Sequence, residues 1–435
     1  MRRSMTLLPV LLLMGCSCSS QPAKDPGVGT QPGLPAPQRS LIPTVDIAPA
    51  TGWPAGTTPA ASAGLQVKAF ASGLQHPRWL HVLPNGDVLV AESNAPAGKS
   101  GIRGVKGAVM KTVMKRAGAG TPSADRISLL HDADGDGVAE TTSVLLDGLH
   151  SPFGMALVGD MLYVANANAL VRVPYQRGQT RITATPELVV ALPGKGDELN
   201  HHWTKSLLAS ADGTRLYVGV GSNSNAGENG MQVETGRAAV LEIDPLARTT
   251  RTYASGLRNP VGLAWGPGSQ QLWAVVNERD ELGNNLVPDY LTQVRRDAFY
   301  GWPYSYYGQH VDPHVEPPRP DLVSTALVPD YALGNHVAPL GLAFAERVSL
   351  PGFVQGAFVA LHGSWNRKPP SGYKVVFVSF VEGRPTGQPR DVLTGFLDGK
   401  GQARGRPVGV AVRGAALLVA DDVGNTVWWV GAAKP

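Results

Sequence analysis

The stretch NPVGLAW at residues 259–265, followed by LWAVV at 272–276, decides the fold. A proline turn leads into a Gly-apolar-x-apolar strand, a Gly-rich turn follows, and a second short apolar strand ends the unit, which is the pattern of a β-hairpin. Five weaker copies begin near residues 76, 151, 202, 339 and 406. A weak internal repeat therefore runs through the chain beyond Leu65.

The spacing of the copies indicates how the hairpins assemble. They start about 50 to 80 residues apart, which leaves room in each unit for two more strands and a loop. Four-stranded units at such a period are typical of propeller blades. The sequence therefore predicts an all-β, six-bladed β-propeller over residues 64–435, and a pair of β-sandwiches with coincidental similarity is the alternative.

Composition agrees with a turn-rich β-protein and excludes several classes of function. The 435 residues include 52 Gly and 36 Pro, and only 17% of them are charged. This composition excludes a coiled coil and an acidic disordered chain. The formal net charge of +4 implies no basic surface for nucleic acid.

Residues 1–15 resemble a bacterial lipoprotein signal peptide. Arg2 and Arg3 precede an apolar run that ends at Gly15-Cys16 and is too short to span a bilayer. We expect Cys16 to carry the lipid after cleavage, which anchors the exported protein to the bacterial cell envelope, on the outer membrane or facing the periplasm.

The two cysteines, Cys16 and Cys18, both lie at this junction, so the body has no disulfide, cysteine metal site or thiol nucleophile. Residues 16–63 are rich in Pro, Gly, Ala, Ser and Thr, which predicts a flexible tether.

In a propeller, the residues just before each inner strand converge at one mouth of the central channel. The side chains at these positions are mainly cationic or imidazole: Arg78, Ser151, His202, Arg258 with Asn259, His336, and Arg404 with Arg406. Guanidinium groups bind carboxylates in a bidentate fashion. The list therefore favours a polyanionic ligand, although any single arginine could be a solvated loop residue.

Four motifs in this order resemble the glucose/sorbosone dehydrogenases. They are GLRNPVGLAW at 256–265, YGWP at 300–303, HGSWNR at 362–367 and RGRPV at 404–408. The resemblance covers about residues 65 to 433. It implies a quinoprotein six-bladed propeller that oxidises sugars with pyrroloquinoline quinone (PQQ) and calcium.

The resemblance assigns cofactor-binding roles to several of the mouth residues. Arg258 and Asn259 match the family's Arg-Asn pair beside the cofactor, and Arg404 and Arg406 match its carboxylate-binding Arg-x-Arg. Arg78 and Arg367 are further candidates from the same mouth. A lysine that contacts the cofactor in the family has no secure counterpart in the stretch WNRK at 365–368.

Sugar oxidation by a quinone needs a base for the hydroxyl proton, and a neutral histidine suits that step near pH 7. His202 occupies the position that the resemblance assigns to the catalytic histidine. This chain has His201 where the family member used for comparison has aspartate, which leaves the orientation of His202 open. His362 in the HGSWNR motif is the rival base, and either histidine could instead be a packed or surface residue.

Two stretches are candidates for calcium. The resemblance places the cofactor calcium on backbone carbonyls at Glu278, Arg279 and Asp280. A separate loop, DADGDGVAE at 132–140, resembles the start of a calcium loop through Asp132, Asp134 and Asp136. Its twelfth position is Ser143 rather than the glutamate of an EF-hand, so it is either a structural calcium site or an unliganded turn.

The sequence thus predicts a lipid-anchored, PQQ- and calcium-dependent dehydrogenase for an aldose or a sorbosone-like aldehyde. Because the chain has no haem-attachment motif, its electrons would pass to an external acceptor, a quinone or a cytochrome. One alternative is a metal-dependent sugar lactonase, although the mouth residues are mainly Arg and His. Another is a non-catalytic cell-surface propeller that binds glycans or proteins.

Overall fold

The computed structural model describes residues 25–38, 44–96, 115–196, 198–268, 271–345 and 350–434. The expected signal peptide and Cys16 lie outside these ranges, so export and lipid anchoring stay predictions. No helix in the described ranges is long and apolar enough to cross a membrane.

The six repeat copies each form the two inner strands of a four-stranded antiparallel blade. Blade 1 comprises Pro77–Val82, Val88–Glu92, Arg126–His131 and Thr141–Leu146. Blade 2 comprises Met155–Val158, Met161–Ala165, Ala169–Pro174 and Glu187–Ala191. Blade 3 comprises Lys205–Ala209, Leu216–Val220, Ala239–Asp244 and Thr249–Ser255.

The other three blades follow the same order from the inside outward. Blade 4 comprises Pro260–Trp265, Leu272–Val276, Pro288–Val294 and Tyr331–Asn335. Blade 5 comprises Pro339–Phe344, Gly356–Leu361, Lys374–Val381 and Arg384–Thr394. Blade 6 comprises Pro407–Arg413, Ala416–Asp421, Thr426–Ala432 and, as its outer strand, Leu65–Ser72. This last pairing joins the two ends of the propeller and closes the ring.

A few short elements lie outside the blades. The strands are Val28–Gly29, Ala60–Ala61, Ala298–Phe299, Ser305–Tyr306 and His310–Val311. The helices are a π-turn at Lys115–Ala119, a 3-10 turn at Met231–Glu234 and an α-turn at Pro320–Val323. The described chain is therefore almost entirely sheet and loop, as the predicted fold class requires.

The glycine of the repeat lets neighbouring inner strands approach closely around the axis. A Cβ at Gly409 of blade 6 would lie 2.7 Å from the carbonyl oxygen of Arg78 in blade 1, and a Cβ at Gly341 of blade 5 would collide with the carbonyl oxygen of Val408. A side chain at either position would separate adjacent blades. The hydrophobic core fills the gaps between blades, as where Trp79, Phe153 and Trp203 of three successive blades pack together.

The segment ahead of the propeller is packed rather than free. Val28 and Gly29 pair with the outer strand of blade 4, and Ala60 and Ala61 pair with that of blade 5. Trp53 lies edge-on to Phe396 and Trp428, each with ring centroids 5.5 Å away. Within the stretch 16–63, which the sequence predicts to be a flexible tether, these residues therefore have partners on the blades.

Candidate functional site

One mouth of the propeller collects the predicted cofactor and base residues. In each blade, the loop before the inner strand and the loop after the second strand lie at the same end, since successive strands are antiparallel. Arg78, His202, Arg258, Asn259, Arg404 and Arg406 belong to the first kind of loop or begin an inner strand, and Glu278, Arg279, Asp280, His362 and Arg367 belong to the second.

Asp422, which follows the second strand of blade 6, binds side chains from two other blades. Nη1 of Arg78 donates to its Oδ2, and Nε2 of His362 lies 3.0 Å from the same oxygen. Nε2 of His76 is 3.6 Å away. Burial disfavours the charge of Asp422, but His362, His76 and Arg78 together hold the pKa of Asp422 far below its usual value. Asp422 is therefore an ionised, buried centre between blades 1, 5 and 6.

Arg406 lies beside this centre and is itself buried. Its Nη2 donates to the carbonyl oxygen of Ala48 at 3.2 Å, and its guanidinium stacks 4.9 Å from the ring of Tyr373. Its Nε, like that of Arg78, is buried and has no hydrogen-bond partner among the described residues. Arg404, two positions earlier, is only half-buried. The predicted Arg-x-Arg pair thus offers one buried and one accessible guanidinium at the mouth.

A second aspartate, the partly buried Asp280 after the second strand of blade 4, contacts another group of basic residues. Its Oδ2 accepts from Nη2 of Arg258 at 3.2 Å, and its Oδ1 accepts from Nδ2 of Asn366 at 2.6 Å. Nδ1 of His336 is 3.4 Å from Oδ1. Burial opposes the charge of Asp280, but Arg258 and His336 lower the pKa of its carboxyl below the usual value.

Arg258 differs from Arg78 and Arg406 because its guanidinium is saturated. Nη1 donates to the carbonyl oxygen of Glu278 at 2.6 Å, and Nε donates to the carbonyl oxygen of Asn225 at 3.1 Å. Nη2 donates to Oδ1 of Asn225 at 3.0 Å as well as to Asp280, and Nη1 also lies 3.4 Å from the carbonyl oxygen of Asn277. Arg258 therefore braces the loops of blades 3 and 4, and the structure gives it no free N–H for a carboxylate.

His202 is held by a neutral oxygen. Its Nδ1 lies 2.7 Å from the carbonyl oxygen of Ser222, which can only accept a proton, so Nδ1 is the donor and Nε2 keeps its lone pair. Burial, with His201 and Arg258 nearby, lowers the pKa of His202 well below its usual value. His202 is thus a neutral imidazole whose Nε2 carries no proton.

The side chains of Asn259 and His202 both lie against Gly221. A Cβ at Gly221 would collide with Oδ1 of Asn259 and lie 2.5 Å from the Cβ of His202. The Oδ1 of Asn259 is buried without a partner in the described part of the chain. An unpaired buried acceptor beside an imidazole base suits the hydroxyl group of a polar ligand. The structure therefore brings these two predicted residues together.

Lys205 and Arg237 support the loop that carries His202. Lys205 is wholly buried, and its Nζ donates to the carbonyl oxygen of Trp203 at 3.0 Å and to Oδ1 of Asn200 at 3.2 Å. Nη2 of Arg237 donates to the same Asn200 oxygen at 2.8 Å. Neither residue was predicted from the sequence, although a lysine at the start of the short strand KSLLA, close to His202 in the sequence, was a usable signal.

The positions proposed for the cofactor calcium do not fit that ion as they are arranged. The carbonyl oxygen of Glu278 already accepts from Arg258, and that of Asp280 accepts from Nε of Arg279 at 2.9 Å. Arg279 in turn forms a buried ion pair with Asp312. Burial raises the pKa of Glu278 to about 7, which weakens its carboxyl as a ligand. Guanidinium groups occupy the acceptor positions that a divalent cation would need.

The guanidinium of Arg367 already has protein partners at the rim of the mouth. Its Nε donates to the carbonyl oxygen of Asn284 at 3.2 Å, and its Nη2 is 3.3 Å from Oδ1 of Asn285. The same nitrogen lies 3.9 Å from Oδ2 of Asp25. These contacts link blade 5 to the blade 4 loop and to the N-terminal segment, so Arg367 stands apart from the group around Asp422.

The acidic loop lies at the other end of blade 1, between its third and fourth strands. Asp132, Asp134, Asp136 and Glu140 bring one oxygen each to within 4.8 Å of one another. Glu140, the ninth residue of the loop, was not singled out from the sequence. Asp132 also pairs with Arg413 at 2.7 Å. This loop is separate from the mouth that holds the histidines.

The fold and the mouth define a six-bladed β-propeller with a site lined by basic residues. The family model described as TrAA12-like matches residues 124–297 and 323–432, and the chain belongs to this family. An uncharacterized protein of Borreliella burgdorferi is 26% identical over 296 residues, covering 65% of this chain and 76% of that protein.

Two fungal proteins extend the comparison. The pyrroloquinoline quinone-dependent pyranose dehydrogenase of Coprinopsis cinerea is 22% identical over 72% of this chain, but the match spans only 44% of that protein. The holo structure of its PQQ domain covers 89% of this chain and is itself covered in full, with 21% identity and a TM-score of 0.67. The calcium structure of the Trichoderma reesei AA12 enzyme covers 90% of this chain and 99% of its own, with 18% identity and a TM-score of 0.68. These likenesses confirm the predicted fold, and the match to the family model confirms the family.

Proposed function

We propose that this protein is a PQQ-dependent sugar dehydrogenase that oxidises an aldose or a sorbosone-like aldehyde and passes the electrons to an external acceptor. The observation that carries the proposal is the pair of buried Nε atoms of Arg78 and Arg406 at the mouth, neither of which has a hydrogen-bond partner among the described residues. Buried donors without a partner are costly, and an anionic ligand relieves that cost. The names of the fungal relatives support PQQ as that anion.

The residues at the mouth fit the cofactor's carboxylates and the substrate's hydroxyl groups. Arg78, Arg404 and Arg406 would hold the carboxylates, and the unpaired Oδ1 of Asn259 would accept a hydrogen bond from the ligand. When bound, PQQ supplies the two-electron oxidant. The protein supplies the proton acceptor, and His202 and His362 are the two candidates because each has one nitrogen fixed by the protein.

Calcium was part of the predicted activity, but the residues at 278–280 do not fit this ion. Calcium at these positions is therefore not part of the proposed function. The lactonase alternative needs acidic metal ligands in the channel. Within the described ranges, the acidic group that could hold a metal lies in the loop at the opposite end of blade 1. The site therefore favours oxidation over hydrolysis.

The test is a titration of the full chain with PQQ, with and without Ca²⁺, followed by cofactor absorbance and then by reduction of an acceptor dye with a panel of aldoses. We expect saturable binding and sugar-dependent dye reduction. Arg406→Ala should weaken PQQ binding by about tenfold or more, because a charge-assisted contact is lost.

Arg413→Ala is the matched control, since Arg413 ends the strand that Arg406 precedes, lies at the opposite mouth and also stacks on an aromatic ring, that of Phe70. It should leave PQQ binding unchanged. A folded wild-type chain that does not bind PQQ would overturn the proposal. Hydrolysis of sugar lactones without any acceptor dye would favour the lactonase.

A further inference from the structure

Asp422 gives His362 a partner that His202 lacks. The two histidines occupy the same mouth, and each has one ring nitrogen held by the protein. Nδ1 of His202 is held by the neutral carbonyl of Ser222 at 2.7 Å. Nε2 of His362 is held at 3.0 Å by a carboxylate that is 3% exposed. Asp422 lies 60 residues from His362 in the sequence, so no local pattern indicates this carboxylate partner.

The surroundings of Asp422 fix its charge and therefore the tautomer of His362. The ion pair with Arg78 keeps Asp422 ionised. An ionised carboxylate only accepts, so the neutral ring of His362 must carry its proton on Nε2. Nδ1 then keeps the lone pair, and it has no hydrogen-bond partner among the described residues while the side chain is 20% exposed.

We propose that Asp422 is a positioning residue that holds His362 as the Nε2–H tautomer, so that Nδ1 of His362 is the base that takes the substrate's hydroxyl proton. The proposal rests on the proposed function and assigns a role within it. With PQQ bound as the two-electron oxidant, Nδ1 of His362 would take the O–H proton while the hydride left the carbon that carries that hydroxyl for the quinone, so the sugar would become a carbonyl compound and the two electrons would pass to the cofactor.

The charge that forms on the base favours His362 over His202. When His362 takes the proton, its imidazolium lies against an ionised carboxylate, and the attraction offsets part of the cost of a buried cation. When His202 takes a proton, its neighbours are the carbonyl of Ser222, a second imidazole and the guanidinium of Arg258. His202 is therefore better suited to bind a hydroxyl as a neutral acceptor.

The groups that face His362 change its pKa in opposite directions. Burial lowers the pKa of His362, and Arg406 and Arg78 lower it further, whereas Asp422 raises it. His76 shares the same carboxylate from the blade 1 side. The net result is a ring that is neutral at pH 7 and whose pKa depends on Asp422. Replacing Asp422 by Asn should therefore move the pKa of His362 downward.

The first experiment measures the tautomer directly in the wild-type chain. Histidine labelled with ¹⁵N is observed by long-range proton–nitrogen NMR at pH 7, and His362→Gln assigns the signal. We expect the Nε2–H form. A signal for the Nδ1–H form or for the imidazolium would overturn the proposal, and this readout needs neither PQQ nor a stable variant at Asp422.

The second experiment compares Asp422→Asn with Glu242→Gln. Glu242 is also a buried carboxylate, 6% exposed, that accepts from Arg251, Arg296 and Tyr217, but it lies within blade 3 away from the mouth. We expect Asp422→Asn to lower kcat by about 100-fold, to shift the acid limb of the kcat/KM profile to lower pH and to mix the His362 tautomers. Glu242→Gln should change none of these.

The outcomes separate this proposal from the proposed function. An unchanged tautomer and an unchanged pH profile in Asp422→Asn would overturn the positioning role. A wild-type chain that does not bind PQQ would defeat the proposed function, while the NMR signal would still decide whether Asp422 holds His362. A larger loss of kcat in His202→Ala than in His362→Gln would return the role of base to His202.

Discussion

His76 shows at the scale of one residue how the mouth depends on pH. It is buried, its φ of 55° lies in the left-handed region, and its ring faces Asp422. Burial outweighs the attraction of Asp422 and lowers the pKa of His76 to about 4. Between pH 6.5 and 4 the unfolded chain therefore binds a proton that the folded chain does not, so the free energy of unfolding falls as the pH falls.

We expect His76→Asn to remove this contribution, because Asn tolerates the left-handed backbone and does not titrate. From pH 7 to pH 4 the wild type should lose about 3 kcal/mol more stability than the variant, the value of a shift of about 2.5 pKa units. Urea unfolding at a series of pH values measures both. Parallel pH profiles for the two proteins would contradict the assigned cause.

The acidic loop of blade 1, residues 132–140, is predicted to bind calcium. Its carboxylates are close enough to share a cation, but Asp132, Asp134 and Glu140 also accept hydrogen bonds from the loop's own backbone. If calcium binds, it must compete with these bonds and with Arg413. We expect weak binding that stabilises the fold by about 2–3 kcal/mol at a hundredfold excess over Kd.

Calorimetric titration with Ca²⁺ and thermal unfolding with and without the ion measure this effect. Asp134→Ala should abolish the effect of Ca²⁺, because it removes one of the four carboxylates of the cluster. Asp134 is exposed and its loss leaves the Asp132–Arg413 pair intact, so the variant should still fold. Asp147→Ala serves as a control, since Asp147 is another exposed aspartate of blade 1. A wild-type chain whose unfolding temperature does not respond to Ca²⁺ would identify the loop as an unliganded turn.

At the scale of the whole molecule, one pairing closes the propeller ring: Leu65–Ser72 forms the outer strand of blade 6 beside Thr426–Ala432. Phe70 of this strand is fully buried and packs with Leu80, Val90 and Leu418, so it joins blades 1 and 6. Phe70→Ala should lower the free energy of unfolding by about 3–5 kcal/mol.

Because this pairing joins the two ends of the propeller, we expect the loss to lower the stability of every blade together rather than of blade 6 alone. Hydrogen exchange read blade by blade measures this. Phe380→Ala, a buried phenylalanine packed between blades 4 and 5, is the control for a core loss away from the seam. Faster exchange confined to blade 6 in Phe70→Ala would contradict a closure that governs the whole ring.

The sequence by itself determined the six hairpins and the mouth to which Arg78, His202, Arg258, His362 and Arg406 belong. These follow from short-range patterns, since the alternation of apolar residues sets each strand and the antiparallel order sets the end at which each loop emerges.

Only the tertiary structure decided which partners these side chains have. Arg78 pairs with Asp422, 344 residues away, and Trp53 donates to Asp421 across 368 residues. It also showed that Arg258 is saturated by the loops of blades 3 and 4, and that guanidinium groups stand where calcium was expected. No local pattern encodes such pairs, because the two partners become neighbours only after the ring has closed.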